Sequence, residues 1–326
     1  MNVFMTGGAG YIGGVTAEIL LGSGHQVTVY DNLSRGHRAA IQSVAMFING
    51  DIGDRTTLRD ALSSADFDIV FHFASLIEAG ESMEKPALYF RNNVSHSHNV
   101  IELASEVGCG RFVFSSTAAV YASSDQPLTE ESPIDPANVY GETKLIVERM
   151  LTWYQRIHGL RFAALRYFNA CGALPGRGEA HYPETHLIPR VLQVALGQRD
   201  HVNLYGTDYQ TPDGTCIRDY VHVADLAEAH LLAATALEHN DTLLYNLGSG
   251  RGYSNQEIIE MAREVTSHDI PVDPVDRRHG DATRLVASYE KIQSELGWEP
   301  VHSQLHNILS TSWKWHSKQP HLYDDA

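Results

Sequence analysis

The sequence predicts an α/β fold, a doubly wound parallel sheet joined to a smaller, loop-rich second lobe. Three observations predict it. Short β-branched or aromatic runs alternate with longer helical patterns through the first half. A glycine-rich turn separates the first run from the first helix, and the texture changes after about residue 169. Strand, helix and strand at this rhythm call for right-handed crossovers and a parallel sheet covered on both faces.

In order, strands are expected at 3–6, 26–30, 45–48, 69–73, 111–115 and 162–167, with helices at 12–22, 55–63, 86–107 and 140–158. Residues 173–185, rich in Gly, Pro and charge, read as a long loop. A helix with Pro189 near its start follows at 186–197. Residues 200–216 are turn-rich, 224–237 helical, 243–247 a strand and 276–281 a polar loop. The last helix ends near residue 316. The expected division is 1–170 for a dinucleotide-binding domain and 171–326 for the second lobe, with about 220–250 returning to the first.

Twenty-four basic against 40 acidic residues leave a formal charge of −16, a field that repels polyanions and argues against nucleic acid as a partner. No apolar run is long enough to span a bilayer, so no membrane partner is expected. The first strand begins at once, leaving no room for a secretory leader. Cys109, Cys171 and Cys216 are odd in number and far apart, as reduced thiols of a cytoplasmic protein would be. Among the 18 histidines, His96 with His98 and His302 with His306 are close in sequence but lack neighbouring ligands. No metal is assigned.

Residues 6–14 read TGGAGYIGG and place Gly7, Gly10 and Gly13 between a strand and a helix. Each glycine has a mechanical reason: a tight turn, backbone approach to a pyrophosphate, and close contact of helix and strand. The helix N-terminus offers N–H groups and partial positive charge to phosphates. This is the Rossmann-type arrangement. Asp31, at the end of the second strand, would accept hydrogen bonds from a ribose and repel a 2′-phosphate, favouring NAD over NADP. Arg35 pulls the other way. Asp51 and Ile52, after the third strand, would hold an adenine ring.

Tyr140 and Lys144 are four apart, so both leave one face of a helix. A phenol with an ordinary pKa of about 10 is a useless base near neutrality. The expectation is that the Lys144 ammonium and an oxidised nicotinamide lower it by roughly 3 units, about 4 kcal/mol. The strand ending in Phe114, Ser115, Ser116 and Thr117 delivers a hydroxyl to the same sheet edge. Hydroxyl, phenol, amine and nicotinamide together suit removal of a proton and a hydride from one carbinol.

With these residues in place, the sequence resembles the extended short-chain dehydrogenase/reductase superfamily and, within it, the UDP-glucose 4-epimerase family. The likeness runs nearly end to end, through GGAGYIG (7–13), DNLSRG (31–36), FHFASLIEAGES (71–82), FSSTAAVY (114–121), YGETK (140–144), RYFNACGA (166–173), THLIPRVLQVALG (185–197), DGTCIRDYVHVADLA (213–227) and RRHGD (277–281). It implies bound NAD, a small-molecule UDP-sugar substrate held by the second lobe, and a homodimer formed through two long helices. It also implies galactose metabolism and a reaction that interconverts UDP-galactose and UDP-glucose. Tyr140 would be the base at the sugar 4-hydroxyl, Lys144 would hold the nicotinamide ribose, and Thr117 would bond the same hydroxyl as Tyr140. Tyr11, Ile12, Asp31, Asn32, Leu33, Ser34, Arg35, Gly36, Asp51, Ile52, Phe73, Ala74, Ser75, Asn92, Ser115, Tyr167 and Phe168 would line the cofactor. Asn169, His186, Leu187, Asn203, Leu204, Tyr205, Arg218, Arg278 and Asp281 would line the nucleotide-sugar.

The dehydratase relatives resemble Thr-Asp-Glu where this chain has Thr117, Ala118 and Ala119. Neither alanine can transfer a proton, so elimination is disfavoured and epimerisation at C4 is left. Some members have a lysine where this chain has Ile77, and a larger aromatic where it has Leu285. The smaller Leu285 side chain would admit N-acetylated sugars, which keeps 4-epimerisation of UDP-GlcNAc and UDP-GalNAc as an alternative, with pentose, uronate or other UDP-sugars behind it. A catalytically idle NAD and nucleotide-sugar sensor is the alternative of another class. It would have no need of Tyr140, Lys144 and Thr117.

Overall fold

A computed structural model describes residues 1–278, 281–319 and 323. Its strands are β1 (Asn2–Thr6), β2 (Gln26–Asp31), β3 (Met46–Asn49), β4 (Ile69–His72), β5 (Arg111–Thr117), β6 (Arg161–Tyr167), β7 (Asn169–Cys171), β8 (Val202–Tyr205), β9 (Ile217–His222), β10 (Thr242–Leu247), β11 (Gly252–Ser254), β12 (Val272–Val275) and β13 (Arg284–Leu285). The helices are α1 (Tyr11–Gly22), α2 (Arg55–Leu62), α3 (Ala79–Glu84), α4 (Pro86–Tyr89), α5 (Ser97–Glu106), α6 (Val139–His158), α7 (Leu187–Ala195), α8 (Val223–Ala236), α9 (Asn255–Thr266), α10 (Glu290–Leu296) and α11 (Leu305–Lys318).

Seven parallel strands form the main sheet in the order β10-β6-β5-β4-β1-β2-β3. The strand order reverses beside β1, where α/β sheets of this kind open a crevice beyond their carboxyl ends. Both faces of the sheet are buried, so its strands are nearly continuously apolar. On one face Val3, Met5, Val29, Phe71 and Val113 meet the helices α1 and α8. On the other, Phe4, Tyr30, Val70, Phe112 and Phe114 meet α2, α5 and α6. At about 25 cal/mol per Å² of apolar surface, these two layers supply the main favourable term in folding.

A second layer closes over the carboxyl edge. It contains a four-stranded sheet of β7, β9, β11 and β13 and a β8–β12 pair. Helices α7, α9 and α11 pack around them through Val191, Leu192, Ile258, Ile259, Ile308 and Leu309. The strand β10, although late in the chain, pairs with β6 in the main sheet.

Several elements correct the sequence reading. The expected helix at 86–107 is interrupted by a π-helical segment, Phe90–His96, between α4 and α5. Its buried Asn93 accepts from the Leu76 amide and donates to the Leu76 carbonyl and to Thr143 Oγ1. Those tertiary bonds compete with a regular helical register, and π segments recur at functional sites. The turn-rich stretch 200–216 contains β8, whose Val202 and Leu204 alternate into the core. The helix expected from 186 begins instead at Leu187, with an extended His186 before it. Sequence reading also missed α3, β7, β9, β11, α9, β12, β13 and α10, most of them short elements of the second layer.

Candidate active site

The glycine turn joins β1 to α1 at the crevice. Gly7 has φ +73°, and a Cβ there would lie 2.4 Å from the Ala74 amide nitrogen on the neighbouring strand's extension. A Cβ on Gly13 would lie 2.4 Å from the Gly7 carbonyl oxygen. Both positions therefore require glycine. No side chain caps α1, whose first turn also carries no acid, so its N–H groups point at the crevice as an anion site. Gly10 itself donates to the Gly7 carbonyl.

Asp31, buried at the end of β2, accepts from the Ala9 and Leu33 amides and so fixes both the glycine turn and its own loop. Asn32 donates to Asp51 at 2.6 Å. Ser34 donates its amide to the Asn32 side chain, and Gly36 lies against Ala9. Arg35 donates to the Tyr182 carbonyl and sits 3.9 Å from Glu78 and 3.8 Å from Glu81. An arginine so engaged does not wait for a 2′-phosphate. Ile52 is buried in the core beside Tyr30, while Asp51 is exposed. These residues fit a dinucleotide without a 2′-phosphate.

The other expected cofactor residues are more dispersed. Tyr11 sends its hydroxyl to the Gly172 carbonyl at 2.6 Å, away from the turn. Ile12 and Leu33 pack against the first core layer. Phe73, Ala74 and Ser75 follow β4 beside Gly7, and Asn92 donates to Asn93. Tyr167 is buried and bonded to His230, and Phe168 is buried near Ala118 and Leu145.

The carboxyl end of β5 and the first turn of α6 meet at the chemistry-bearing cluster. Asn138 caps α6 by accepting from the Gly141 amide. The α6 backbone is drawn close because residue 141 is glycine: a Cβ there would lie 2.3 Å from the Ala119 carbonyl oxygen. The Tyr140 phenol and the Thr117 hydroxyl stand close enough for Thr117 to favour the phenolate. Lys144 is buried and donates to the Ser115 carbonyl at 2.7 Å and the Ser115 hydroxyl at 3.3 Å. The Ser115 hydroxyl in turn donates to the His72 carbonyl.

Within the protein alone, burial dominates the electrostatics of this pair. Burial pushes the Tyr140 phenol up to about 12, the Thr117 hydroxyl opposing it and the negative Glu78 adding to it. Burial also pushes the Lys144 amine down to about 7. Lys144 thus does not activate Tyr140 by itself. Both groups share one desolvated recess, the amine is bonded to Ser115, and its nitrogen is 5.9 Å from the tyrosine ring centroid. A further positive charge in the cleft would shift Tyr140 back toward the phenolate.

In the second layer, Leu187, Asn203, Tyr205, Arg278 and Asp281 line one pocket, together with Thr185, Arg190, Val202 and Asn255. The guanidinium of Arg278 stacks 3.8 Å over the Tyr205 ring. The polar groups of Asn203, Arg278 and Arg190 around it hold the Tyr205 phenol down at about 8 against the effect of burial. Two guanidinium groups on one rim make this an anion-receptive pocket. Arg190 escaped the sequence reading; its position one helical turn after His186 was the available signal. Leu204 points the other way, into the second-layer core. Asn169 donates to the Asp219 carbonyl, and Arg218 folds onto its own strand at the Ile217 carbonyl. Neither lines the pocket. Leu285 pairs with Arg218 in register and touches the cluster of Ala118, Val120, Leu145 and Phe168 behind Thr117. His279 and Gly280 of the RRHGD stretch lie outside the described residues.

His186 is not in the pocket. Its Nδ1 lies 2.8 Å from Glu179 and 3.0 Å from Glu184, in a group that includes His181. The E-x-H-x-x-E-x-H spacing from 179 to 186 was legible and was missed.

Comparison with known proteins follows the same lines. Residues 3–248 match the model of the NAD dependent epimerase/dehydratase family. The chain is 49% identical to a UDP-glucose 4-epimerase of Halalkalibacterium halodurans, over 99% of this chain and 98% of that protein. A crystal structure of a UDP-glucose 4-epimerase superposes with a TM-score of 0.96 at 47% identity, covering 100% of both chains. The Brucella ovis UDP-glucose 4-epimerase, solved in complex with NAD, superposes with a TM-score of 0.92 at 44% identity, covering 96% of this chain and 97% of that one.

Proposed function

The chain belongs to the NAD dependent epimerase/dehydratase family and within it to the UDP-glucose 4-epimerases; from that premise we propose that it interconverts UDP-galactose and UDP-glucose at sugar C4. The observation that carries the reading is the Tyr140–Thr117 hydroxyl pair, set between an uncapped glycine turn and a two-arginine pocket.

NAD supplies a hydride acceptor at C4, a hydride donor for the return, and positive charge beside the phenol. The chain's residues divide the remaining work. Gly7, Gly10, Gly13 and the N-terminus of α1 would hold the pyrophosphate, and Asp31 would hold the adenosine ribose. Lys144 would hold the nicotinamide ribose. Tyr140 would take the proton of the 4-hydroxyl and give it back, with Thr117 keeping that hydroxyl in line. Arg190 and Arg278 would hold the diphosphate, leaving the sugar to turn and present its other face.

No proton-transferring side chain follows Thr117, since Ala118 and Ala119 occupy the positions where elimination would need an acid and a base. That supports epimerisation without loss of water. A second reading, turnover of N-acetylated UDP-sugars, rests on the modest size of Leu285 beside Phe168 and Ala118.

The proposed domain division follows the chemistry: 1–170 with about 220–250 for the cofactor, and the remainder of the second half for the nucleotide-sugar. We also infer a homodimer. Ile146, Met150, Trp153 and Ile157 form one stripe along α6, with Trp153 59% and Ile157 67% exposed. Such a stripe suits the same stripe of a second copy. A cytoplasmic place in galactose metabolism accords with three unpaired, buried cysteines.

The test incubates the purified protein with UDP-galactose, UDP-GlcNAc, UDP-xylose and UDP-glucuronate and separates the products. UDP-glucose arising from UDP-galactose, without net consumption of added NAD, is expected. Conversion of none of the four would overturn the reading, and conversion of UDP-GlcNAc alone would replace it with the second.

A further inference from the structure

The segment between β7 and α7 carries two buried carboxylates, Glu179 and Glu184, that face two imidazoles, His181 and His186. Nδ1 of His181 lies 3.0 Å from Glu179 Oε1 and 3.8 Å from Glu184 Oε2. Nδ1 of His186 lies 2.8 Å from Glu179 Oε1 and 3.0 Å from Glu184 Oε1. One donor atom from each of the four residues falls within 4.8 Å of the other three. Ligands bound at 2.0–2.2 Å around a tetrahedral centre stand about 3.3–3.6 Å apart. The observed separations bracket that value.

Charge points the same way. Two carboxylates in a dry site carry a charge that must be balanced. Among the described residues neither pairs with a lysine or arginine; their ion-pair partners are the two imidazoles, which balance that charge only when protonated, and a dication would take the place of those protons. A dication bound by two carboxylates and two neutral imidazoles gives a neutral site with every inward donor used. The donor set of two nitrogens and two oxygens, without sulfur, suits zinc and its first-row neighbours. Magnesium and calcium prefer oxygen alone.

We propose that Glu179, His181, Glu184 and His186 form a binding site for a divalent first-row transition metal of the zinc class, separate from the catalytic cleft. Its place in the fold gives it a structural task. The loop is already tied at several points: the Trp315 indole donates to the Glu179 carbonyl, Arg35 to the Tyr182 carbonyl, and Arg190 to the Glu184 carbonyl. Tyr11, in the first turn of α1, faces the His181 ring. One bond beyond His186 lies Leu187, on the nucleotide-sugar pocket. A metal here would pin the start of α7, with Leu187 and Arg190, against the cofactor-binding half.

The experiment uses the full-length, tag-free protein, stripped with a chelator and then equilibrated with zinc or with cobalt(II). One zinc per chain by elemental analysis is expected, with a rise in melting temperature. The cobalt form should show the strong visible absorption of four-coordinate cobalt. His181→Asn and Glu184→Gln should each weaken zinc at least about tenfold, since even outer-shell partners of a metal are worth 10–100-fold. Zinc no higher than trace on the wild-type chain, or cobalt without that absorption, would overturn the proposal. So would variants that fold and keep full affinity. Should either variant fail to fold, the cobalt spectrum of the wild-type protein decides alone.

Discussion

Lys144 shows how one burial event sets two behaviours. Its amine is depressed to about 7 by desolvation, so between that value and the ordinary lysine range the unfolded chain binds more protons than the native one. Stability then rises with pH across this window and falls as the pH drops through it. Replacing Lys144 by Met removes the dependence. Denaturant midpoints of the two proteins, compared from pH 7 to pH 10, should diverge progressively in favour of the wild type. On the proposed reading, Arg278 in the second-layer pocket should act on binding more than on chemistry. Charge-assisted hydrogen bonds are worth about 1.5–3 kcal/mol. Arg278→Leu should therefore raise KM for UDP-galactose by roughly 10–100-fold while changing kcat little, measured by steady-state kinetics.

The β5–α6 unit depends on a buried ion pair behind the site. Arg166 and Glu148 meet at 2.7 Å, both nearly inaccessible, and Tyr121, Asn246 and Ser116 satisfy the remaining donors and acceptors. The pair joins α6 to β6 and, through Ser116, to the strand that carries Thr117. Leaving one such charge without its partner typically costs about 3–5 kcal/mol. Glu148→Gln should destabilise by that order in urea titration, and an unchanged midpoint would show that the network contributes nothing. The π-helical segment beside it illustrates what sequence periodicity cannot carry. The apolar spacing through 86–107 is compatible with one helix, and only the bonds of Asn93 to Leu76 and Thr143, 17 and 50 residues away, explain the interruption.

Across the whole molecule, the first half was legible because its signals are local. A glycine turn, a helix with a phenol and an amine one turn apart, and a strand ending in hydroxyls each announce themselves within a few residues. The second layer was less legible. Strands such as β7, β11 and β13, of two or three residues, exist only because β9 is there to pair with them. Arg190 and the Glu179–His186 group acquire meaning only once the loops close over the sheet. The apolar stripe on α6 belongs to this scale too. Trp153→Glu should shift the protein from dimer to monomer in sedimentation velocity, without loss of helical signal; a wild-type chain already monomeric at micromolar concentration would refute the α6 interface.

The central claim is that the Tyr140 oxygen carries the proton of the sugar's 4-hydroxyl. Turnover of UDP-galactose by Tyr140→Phe, with NAD and UDP-sugar binding measured on the same preparation, tests it most directly. A loss of at least about 10²-fold in kcat with binding nearly intact is expected, the usual scale of a positioned acid–base group. A variant that binds both ligands and turns over at near the wild-type rate would contradict it.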